Sequence, residues 1–277
     1  MNSAASPDSA TLHATPAEAG ISDDRWATAC RLLGSFCSDG TISSAALIAG
    51  RGALVVEPQL FGHQALKGEE PLRDDAMFLV ASITKPIVAS AALLLVERGL
   101  LTLSDKVIDY IPEFGKNGKN AVRVRHLMTH TSGLPDMLPD NVELRKNHAP
   151  LSAFVEGTCE VELDFPAGRG VRYQSMGFAI LGEIIHRISG VSCADFVRKE
   201  IFEPLGMDDT AFWVPPDKVD RFAACYGRNS RKELVLIDDP RTSSYLREPE
   251  LFNGGGGLAG TTSDYVRFAT MLSNGGE

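Results

Sequence analysis

Ser82 and Lys85 are the two residues whose types and spacing could together support covalent chemistry. They stand three positions apart at the start of an apolar run that predicts a helix, so their side chains can meet on adjacent turns. A serine at a buried helix start lies near unpaired N–H groups and the positive end of the helix dipole, which stabilise an alkoxide. Burial disfavours the ammonium form of a lysine, which would let Lys85 accept the serine proton. The pair therefore predicts a nucleophile and its base.

The spacing by itself also fits a helix-capping serine followed by a surface lysine, because Ser-x-x-Lys is short enough to arise by chance. The surrounding sequence favours the chemical interpretation. Lys85 precedes a largely apolar stretch that ends at Val96, where a helix would enter the core and an unused charge would be costly. Pro86 removes only a backbone donor that would be mostly unpaired in the first turn.

The elements that must position Ser82 can be predicted from the chain on either side of it. An apolar, strand-like segment at 78–81 leads into the serine, and the helix over 82–97 is stopped by Gly99. Because this helix is apolar on nearly every side, we expect it to be buried. The two elements would hold the serine where a strand turns into a core helix.

Upstream of the serine, the sequence predicts an amphipathic helix and a hairpin. The helix starts after Ser22, which can cap it, and stops before Gly40. The hairpin covers 44–57, where two β-rich runs flank a turn at Arg51-Gly52.

Downstream, the pattern is mostly helical and loop-like over 105–249. A final amphipathic helix is predicted over 262–273, with Thr262 or Ser263 as its N-cap.

Composition and charge exclude several classes of partner and location. The 277 residues include 27 Lys and Arg against 36 Asp and Glu, a net charge of −9 without a basic run, so we expect no nucleic-acid or membrane partner. The longest apolar run, 87–96, is shorter than the ~20 residues of a membrane span. Residues 1–19 lack the features of a signal peptide and are expected to form a loose tail, which predicts a cytoplasmic protein. The five cysteines are scattered, as expected for reduced thiols.

Two further patterns match cofactor or metal motifs only in form. Gly255, Gly257 and Gly260 reproduce the glycines of a dinucleotide-binding fingerprint, but no buried strand precedes them. His126 and His130 have the spacing of two metal ligands on a helix, but no third ligand is evident, so structural histidines are the preferred interpretation. We therefore expect no cofactor and no metal.

Five segments, in order, carry a resemblance to a known family. They are SITK followed by LLLVERGLLTLSDKVIDYIPEF, then VRVRHLMTHTSGLP, FPAGRGVRYQSMGFAILGEIIHRISG, FEPLGMDDTAF and NGGGGLAGTTSDYVRF. Together they resemble the serine β-lactamase and penicillin-binding-protein superfamily, in particular its class C β-lactamase-like branch and the related esterases, over residues 20–277.

The resemblance implies an α+β fold in which an antiparallel sheet flanked by helices lies beside a mostly helical region. The β-lactamase-like domain would cover 20–277. Its sheet side would comprise 20–104 and 250–277, and its helical side 105–249. The nucleophile would lie in the cleft between the two sides.

The resemblance also implies an acyl-enzyme mechanism. Ser82 would be the nucleophile, Lys85 its base or proton relay, and Tyr173 the second member of the base system. Ser175 stands where the family usually has an asparagine that holds the substrate amide, so its shorter hydroxyl weakens lactam recognition more than ester cleavage. The glycines at 256–257 would approach the substrate closely.

Three functions remain open on these grounds. The resemblance favours an esterase or acyl-transferase that acts on small acyl esters, with a β-lactamase or D,D-peptidase-like amide hydrolase as the alternative enzyme. A non-catalytic binding or scaffold protein is the alternative of another class. The oligomeric state is not predicted.

The family's third motif, Lys or His followed by x-Gly on a strand beside the nucleophile, should follow the glycine-rich segment, but the sequence ends at Glu277. That strand normally supplies an oxyanion-hole N–H, whose loss can lower the rate by ~10²–10³. We therefore expect a chain truncated at its C-terminus, with only the hairpin available to the sheet. An unpaired sheet edge and a tendency to aggregate should follow.

Overall fold

The computed structural model describes residues 12–66, 68, 70–249 and 254–276. Helix α1 spans Asp23–Ser38, and the Ser22 hydroxyl accepts the N–H of Arg25. Asp23 and Asp24 lie in its first turn, where negative charge favours the helix dipole. The predicted first helix and its cap are confirmed.

The main sheet has three strands in the order β1-β3-β2: β1 (Leu12–Ala14), β2 (Ser44–Arg51) and β3 (Leu54–Gly62). Strands β2 and β3 form the predicted antiparallel hairpin, but its turn is Gly52-Ala53, one residue later than expected, with Gly52 at φ +59°. Strand β1, which pairs parallel to β3, lies inside the segment expected to be a loose tail. Residues 1–11 of that tail lie outside the described residues.

Ser82 lies in a turn between a strand and a helix. Strand β4 (Met77–Leu79) leads into a 3-10 turn (Ala81–Ile83), and helix α2 (Thr84–Glu97) follows. The predicted order of strand and helix is confirmed, but the α-helix begins two residues later than expected. Ser82 therefore lies in an exposed turn and not at a buried helix start. The apolar face of α2 is fully buried, whereas Leu93 on its opposite side is exposed.

The helical side of the molecule packs around α2. Its six α-helices are α3 (Val124–Met128), α4 (Asn141–Lys146), α5 (Leu151–Glu160), α6 (Met176–Ser189), α7 (Cys193–Val197) and α8 (Glu203–Leu205) among the described residues. The largest hydrophobic core lies where the buried faces of α2 and α6 meet. The region expected to be mostly helical also contains an antiparallel hairpin, β5 (Cys225–Arg228) and β6 (Leu234–Asp238).

The last described segment returns to the strand and turn around Ser82. Strand β7 (Ala259–Thr261) pairs antiparallel to β4, and helix α9 (Thr262–Ser273) follows at the predicted bounds. Its N-cap is Thr261, whose hydroxyl accepts the N–H of Asp264 at 3.1 Å, so the expected caps, one and two residues later, are wrong. Within the described part of the chain, none of the helices has both the length and the apolar character that a bilayer crossing requires.

Candidate active site

The turn that carries Ser82 is strained. Ala81, the residue before it, has φ +48°, in the left-handed region that residues with a Cβ adopt rarely and usually where surrounding contacts force it. The Ser82 side chain is exposed, and its backbone N–H has no hydrogen-bond partner among the described residues. A serine hydroxyl and an unpaired amide are therefore presented together, as a nucleophile and an oxyanion donor require.

Lys85 lies one turn farther along the chain and is only 4% exposed. Its Nζ donates to Ser82 Oγ at 3.1 Å and to the carbonyl oxygen of Gly255 at 2.5 Å. No carboxylate forms an ion pair with it in the described part of the chain. A buried amine whose partners are a carbonyl and the serine hydroxyl is placed to exchange a proton with that hydroxyl.

Aromatic rings surround the amine. Lys85 Nζ lies 4.8 Å from the centroid of the Tyr173 ring and 5.6 Å from that of Phe178. Both contacts stabilise a positive charge on the lysine by cation–π attraction. Tyr173 is 47% exposed, and its hydroxyl makes no hydrogen bond to any described residue. The ring is thus part of the site while the hydroxyl stays open to solvent and substrate.

His130, which sequence reasoning treated as structural, belongs to this cluster. Its ring centroid lies 4.5 Å from that of Tyr173. Nδ1 accepts the N–H of Gln174 at 3.2 Å, so the neutral ring carries its proton on Nε2. Burial, and secondly the positive charge of Lys85, lower the pKa of His130. The spacing between His126 and His130 matches that of two metal ligands only if both lie on one continuous helix. Helix α3 ends at Met128, so His130 is not on the helix that carries His126.

The glycine-rich segment runs alongside Ser82. A Cβ on Gly256 would lie 3.9 Å from the Ser82 nitrogen, so this glycine packs directly against the turn. Leu258 bonds on both sides of that turn: its N–H donates to Thr84 Oγ1 at 3.2 Å and its carbonyl accepts from Val80 at 2.8 Å. The hydroxyl of Tyr245 donates to the Gly256 carbonyl at 3.1 Å. These bonds hold the backbone beside Ser82 in place.

Ser175, the expected substrate-binding residue, is only 5% exposed. Its hydroxyl donates to Asp136 Oδ1 at 2.9 Å, and it stands at the start of α6. The structure thus brings Ser82, Lys85, Tyr173 and Gly256 together, whereas the Ser175 hydroxyl is engaged by Asp136.

A cavity of about 290 Å³ adjoins this cluster through the glycine-rich segment. Gly257 forms part of its wall, next in the chain to the glycine that packs against Ser82. Phe212 and Tyr245 supply apolar surface, and the charged part of the lining comprises Arg145, Arg247 and Glu248. The cavity is of a size to hold a small acyl or alcohol group.

Comparison with known proteins identifies relatives of this site. A family model described as Beta-lactamase matches residues 24–277. Penicillin-binding protein 4* of Bacillus subtilis (strain 168) is 31% identical over 237 residues, which cover 82% of this chain and 51% of that protein. Esterase EstB of Burkholderia gladioli is 29% identical over 257 residues, which cover 82% of this chain and 64% of that protein. The chain spans between half and two thirds of the length of these relatives.

Solved structures share the fold. EstCE1, a hydrolase with promiscuous acyltransferase activity, superposes with a TM-score of 0.78 at 22% identity, covering 92% of this chain and 74% of that chain. D-amino acid amidase from Ochrobactrum anthropi SV3, complexed with D-phenylalanine, has a TM-score of 0.75 at 24% identity, covering 91% and 72%. At sequence identities this low, the structural similarity establishes only that the chain shares the fold of these proteins.

Proposed function

The chain belongs to the beta-lactamase family and has its α+β fold, and from that premise we propose that it is a serine hydrolase that forms an acyl-enzyme on Ser82. The observation that carries the proposal is the 3.1 Å hydrogen bond between the buried Lys85 amine and Ser82 Oγ. A nucleophile within hydrogen-bond reach of a base that is itself held by a third group is the general signature of covalent catalysis. Here the third group is the Gly255 carbonyl.

The proposed reaction begins with neutral Lys85. One N–H stays bonded to the Gly255 carbonyl, and the bond to Ser82 is reversed, so that the Ser82 hydroxyl donates to the lone pair of Nζ. Ser82 Oγ attacks the ester carbonyl carbon as its proton moves to Lys85 Nζ. The Ser82 N–H donates to the resulting oxyanion. Collapse of the tetrahedral intermediate breaks the bond to the leaving alcohol, which takes the proton from Lys85 through the Tyr173 hydroxyl. Water then attacks the acyl-enzyme, releases the acid and restores Ser82.

We propose small acyl esters as substrates. The cavity beside Gly257 offers apolar walls for an acyl or alcohol group. The Ser175 hydroxyl, at the position where the family has an amide, is bonded to Asp136, which leaves it poorly placed to hold the amide of a lactam. The relative named as an esterase supports this choice. The relative named as a penicillin-binding protein supports the alternative, amide or lactam hydrolysis.

A fluorophosphonate probe tests the nucleophile. We expect the probe to label the purified chain, Ser82→Ala to abolish labelling, and Ser90→Ala to leave it intact. Ser90 is a matched control because it lies on α2 with its hydroxyl bonded to the Pro86 carbonyl. A folded protein that is not labelled, or equal labelling of the parent and Ser82→Ala, would favour the non-catalytic alternative.

A pair of chromogenic substrates separates the two enzyme proposals. We expect the chain to hydrolyse p-nitrophenyl butyrate with a larger kcat/KM than a chromogenic cephalosporin. The reverse ranking, lost in Ser82→Ala, would assign the protein to lactam chemistry.

A further inference from the structure

A basic depression lies on the helical side of the molecule. Its lining includes four cationic side chains, Lys106, Arg123, Arg125 and Arg169, and no acidic residue among those that the structure describes there. The chain as a whole carries a net charge of −9. The fold therefore concentrates positive charge in this depression, whereas the chain as a whole is negatively charged. The sequence contains no basic run that would predict this.

The positive charge of the depression is mostly not neutralised by nearby carboxylates. None of the four cations forms an ion pair within the described part of the chain. Arg123 donates to the carbonyl of Ser104, and Arg125 Nη1 donates to the Ser104 hydroxyl at 3.1 Å. Asp105 is the acidic neighbour of Arg123, but its carboxylate is bonded to Thr102 and Tyr110. An anion bound in the depression would therefore lie near several cationic side chains that still have N–H groups free to donate.

A mostly buried histidine presents a donor to the same space. His126 lines the depression and is 9% exposed. Its Nδ1 accepts the N–H of Arg123 at 3.2 Å, so the neutral ring carries its proton on Nε2, which has no partner among the described residues. A Cβ on Gly168, another lining residue, would lie 3.4 Å from Nε2. The absence of a side chain there keeps the Nε2–H open to the depression.

We propose that this depression binds the phosphate group of a small phosphorylated ligand or of free phosphate. Arg125, Arg169 and Lys106 would contact its oxygens, since guanidinium and ammonium groups make charge-assisted hydrogen bonds to phosphate. The Nε2–H of His126 would donate to an oxygen at the base. The hydroxyls of Thr129 and Thr131, 2.9 Å apart, also line the depression. Thr129 donates its proton to the Arg125 carbonyl at 2.8 Å, whereas Thr131 can turn its proton from Thr129 to the anion.

The neutral state of His126 suits this role. Burial lowers the pKa of His126, and the charges of Arg125 and Arg123 lower it further. At neutral pH the ring therefore offers one N–H donor at Nε2 while Nδ1 keeps its backbone bond.

Titration calorimetry at fixed ionic strength tests the proposal. The parent protein is titrated with inorganic phosphate, pyrophosphate and glucose 6-phosphate, and with sodium chloride as the reference. We expect saturable binding of the phosphate-bearing ligands and none of chloride. If glucose 6-phosphate binds more tightly than phosphate, the ligand is a phosphoester; equal affinities identify the free anion.

Charge-matched double variants show where the ligand binds. Arg125→Gln with Arg169→Gln should weaken binding at least tenfold, whereas Arg31→Gln with Arg231→Gln, which removes the same charge from exposed sites elsewhere, should not. All four arginines are exposed, and a thermal melt checks that each variant folds. Absence of saturable binding by the parent, or equal weakening in both double variants, would overturn the proposal. Ester hydrolysis is measured independently, so failure of the anion site would leave the proposed hydrolase untouched.

Discussion

At the scale of residues, the site is organised around the buried amine of Lys85. A carbonyl and two aromatic rings contact this amine, and no carboxylate in the described chain pairs with it. Burial, and secondly the positive charge of Lys85, lower the pKa of the neighbouring His130, which favours its neutral ring. The remaining polar partner of the amine is the Ser82 hydroxyl.

Tyr173→Phe tests whether the tyrosine hydroxyl relays protons. The phenylalanine ring can keep the contacts with Lys85 and His130. Because the hydroxyl bonds to no described residue, we expect unchanged thermal stability with a fall in kcat of about 10²–10⁴-fold, the usual contribution of a positioned acid or base. Ester kinetics and a thermal melt measure the two effects. A kcat within a few fold of the parent would assign the relay to another group.

His130 predicts a pH dependence of stability. Its pKa in the folded protein is lowered from 6.5, so the unfolded chain binds a proton more readily. We expect its contribution to stability to be complete above pH 6.5 and to be lost as the pH falls below 6.5 and through the lowered pKa.

Urea denaturation at several pH values between 4.5 and 8 tests this dependence by comparing the parent with His130→Asn. Asparagine tolerates the φ of +58° and can accept the Gln174 N–H. We expect a shallower loss of stability in acid for His130→Asn. His148→Asn, at an exposed histidine with φ +51°, is the control and should follow the parent. Identical acid slopes for all three proteins would contradict the prediction.

At the scale of elements, the strained turn of Ser82 is held between α2 and the glycine-rich segment that leads into β7. The backbone hydrogen bonds between β4 and β7, together with the hydrogen bonds of Leu258 to Thr84 and Val80, hold the glycine-rich segment in register with the turn. Helix α9 then anchors this segment, because Asp264 accepts the N–H of Asp209 and the hydroxyl of Thr210, each at 2.8 Å. The position of the Ser82 turn therefore depends on residues distant in sequence.

Asp264 predicts a stability difference between two substitutions. Asp264→Ala would leave the buried Thr210 hydroxyl and the Asp209 N–H unpaired, which should cost about 2–3 kcal/mol. Asp264→Asn keeps an acceptor oxygen and should cost less. Burial raises the pKa of Asp264 because it makes the charged form costly, and a neutral amide avoids that cost.

Urea unfolding at pH 7 measures both variants. Asp24→Ala, at an exposed carboxylate in the first turn of α1, serves as control and should cost no more than about 1 kcal/mol. If Asp264→Ala matches the control, α9 does not depend on this carboxylate.

At the scale of the whole molecule, the three-stranded sheet leaves β2 at one edge. Its order, β1-β3-β2, gives β2 no second strand partner among the described residues. Strand β1 extends the sheet on the other side, where a loose tail was expected. An edge strand presents unpaired N–H and C=O groups that can pair with another chain.

We therefore expect the 277-residue chain to self-associate as its concentration rises. Light scattering coupled to gel filtration, at loading concentrations from about 1 to 100 µM, measures the mass. A monomeric mass throughout, with a sharp and reversible thermal transition, would contradict this expectation.

Local features of the molecule could be predicted from the sequence because short-range interactions determine them. Helix α1 follows from Ser22 and the two aspartates after it, and the hairpin follows from two β-rich runs around a glycine turn. Ser82 and Lys85 are three residues apart, so their contact needs only one helical turn. The ordered motifs were sufficient for the family and the α+β fold class, both confirmed by the comparisons.

Tertiary structure alone decided the surroundings of that pair. The carbonyl that holds Lys85 is 170 residues away, and His130 lies 44 residues from the Gln174 that orients it. The depression likewise brings Lys106 and Arg169 beside Arg123 and Arg125, although both lie far from these arginines in sequence. Such contacts form when separate elements pack against each other, and neither residue type nor local periodicity encodes which distant side chains will meet. The sequence by itself thus determined the contact between Ser82 and Lys85 and the family, and the folded chain determined the partners, the backbone strain and the solvent access of that pair.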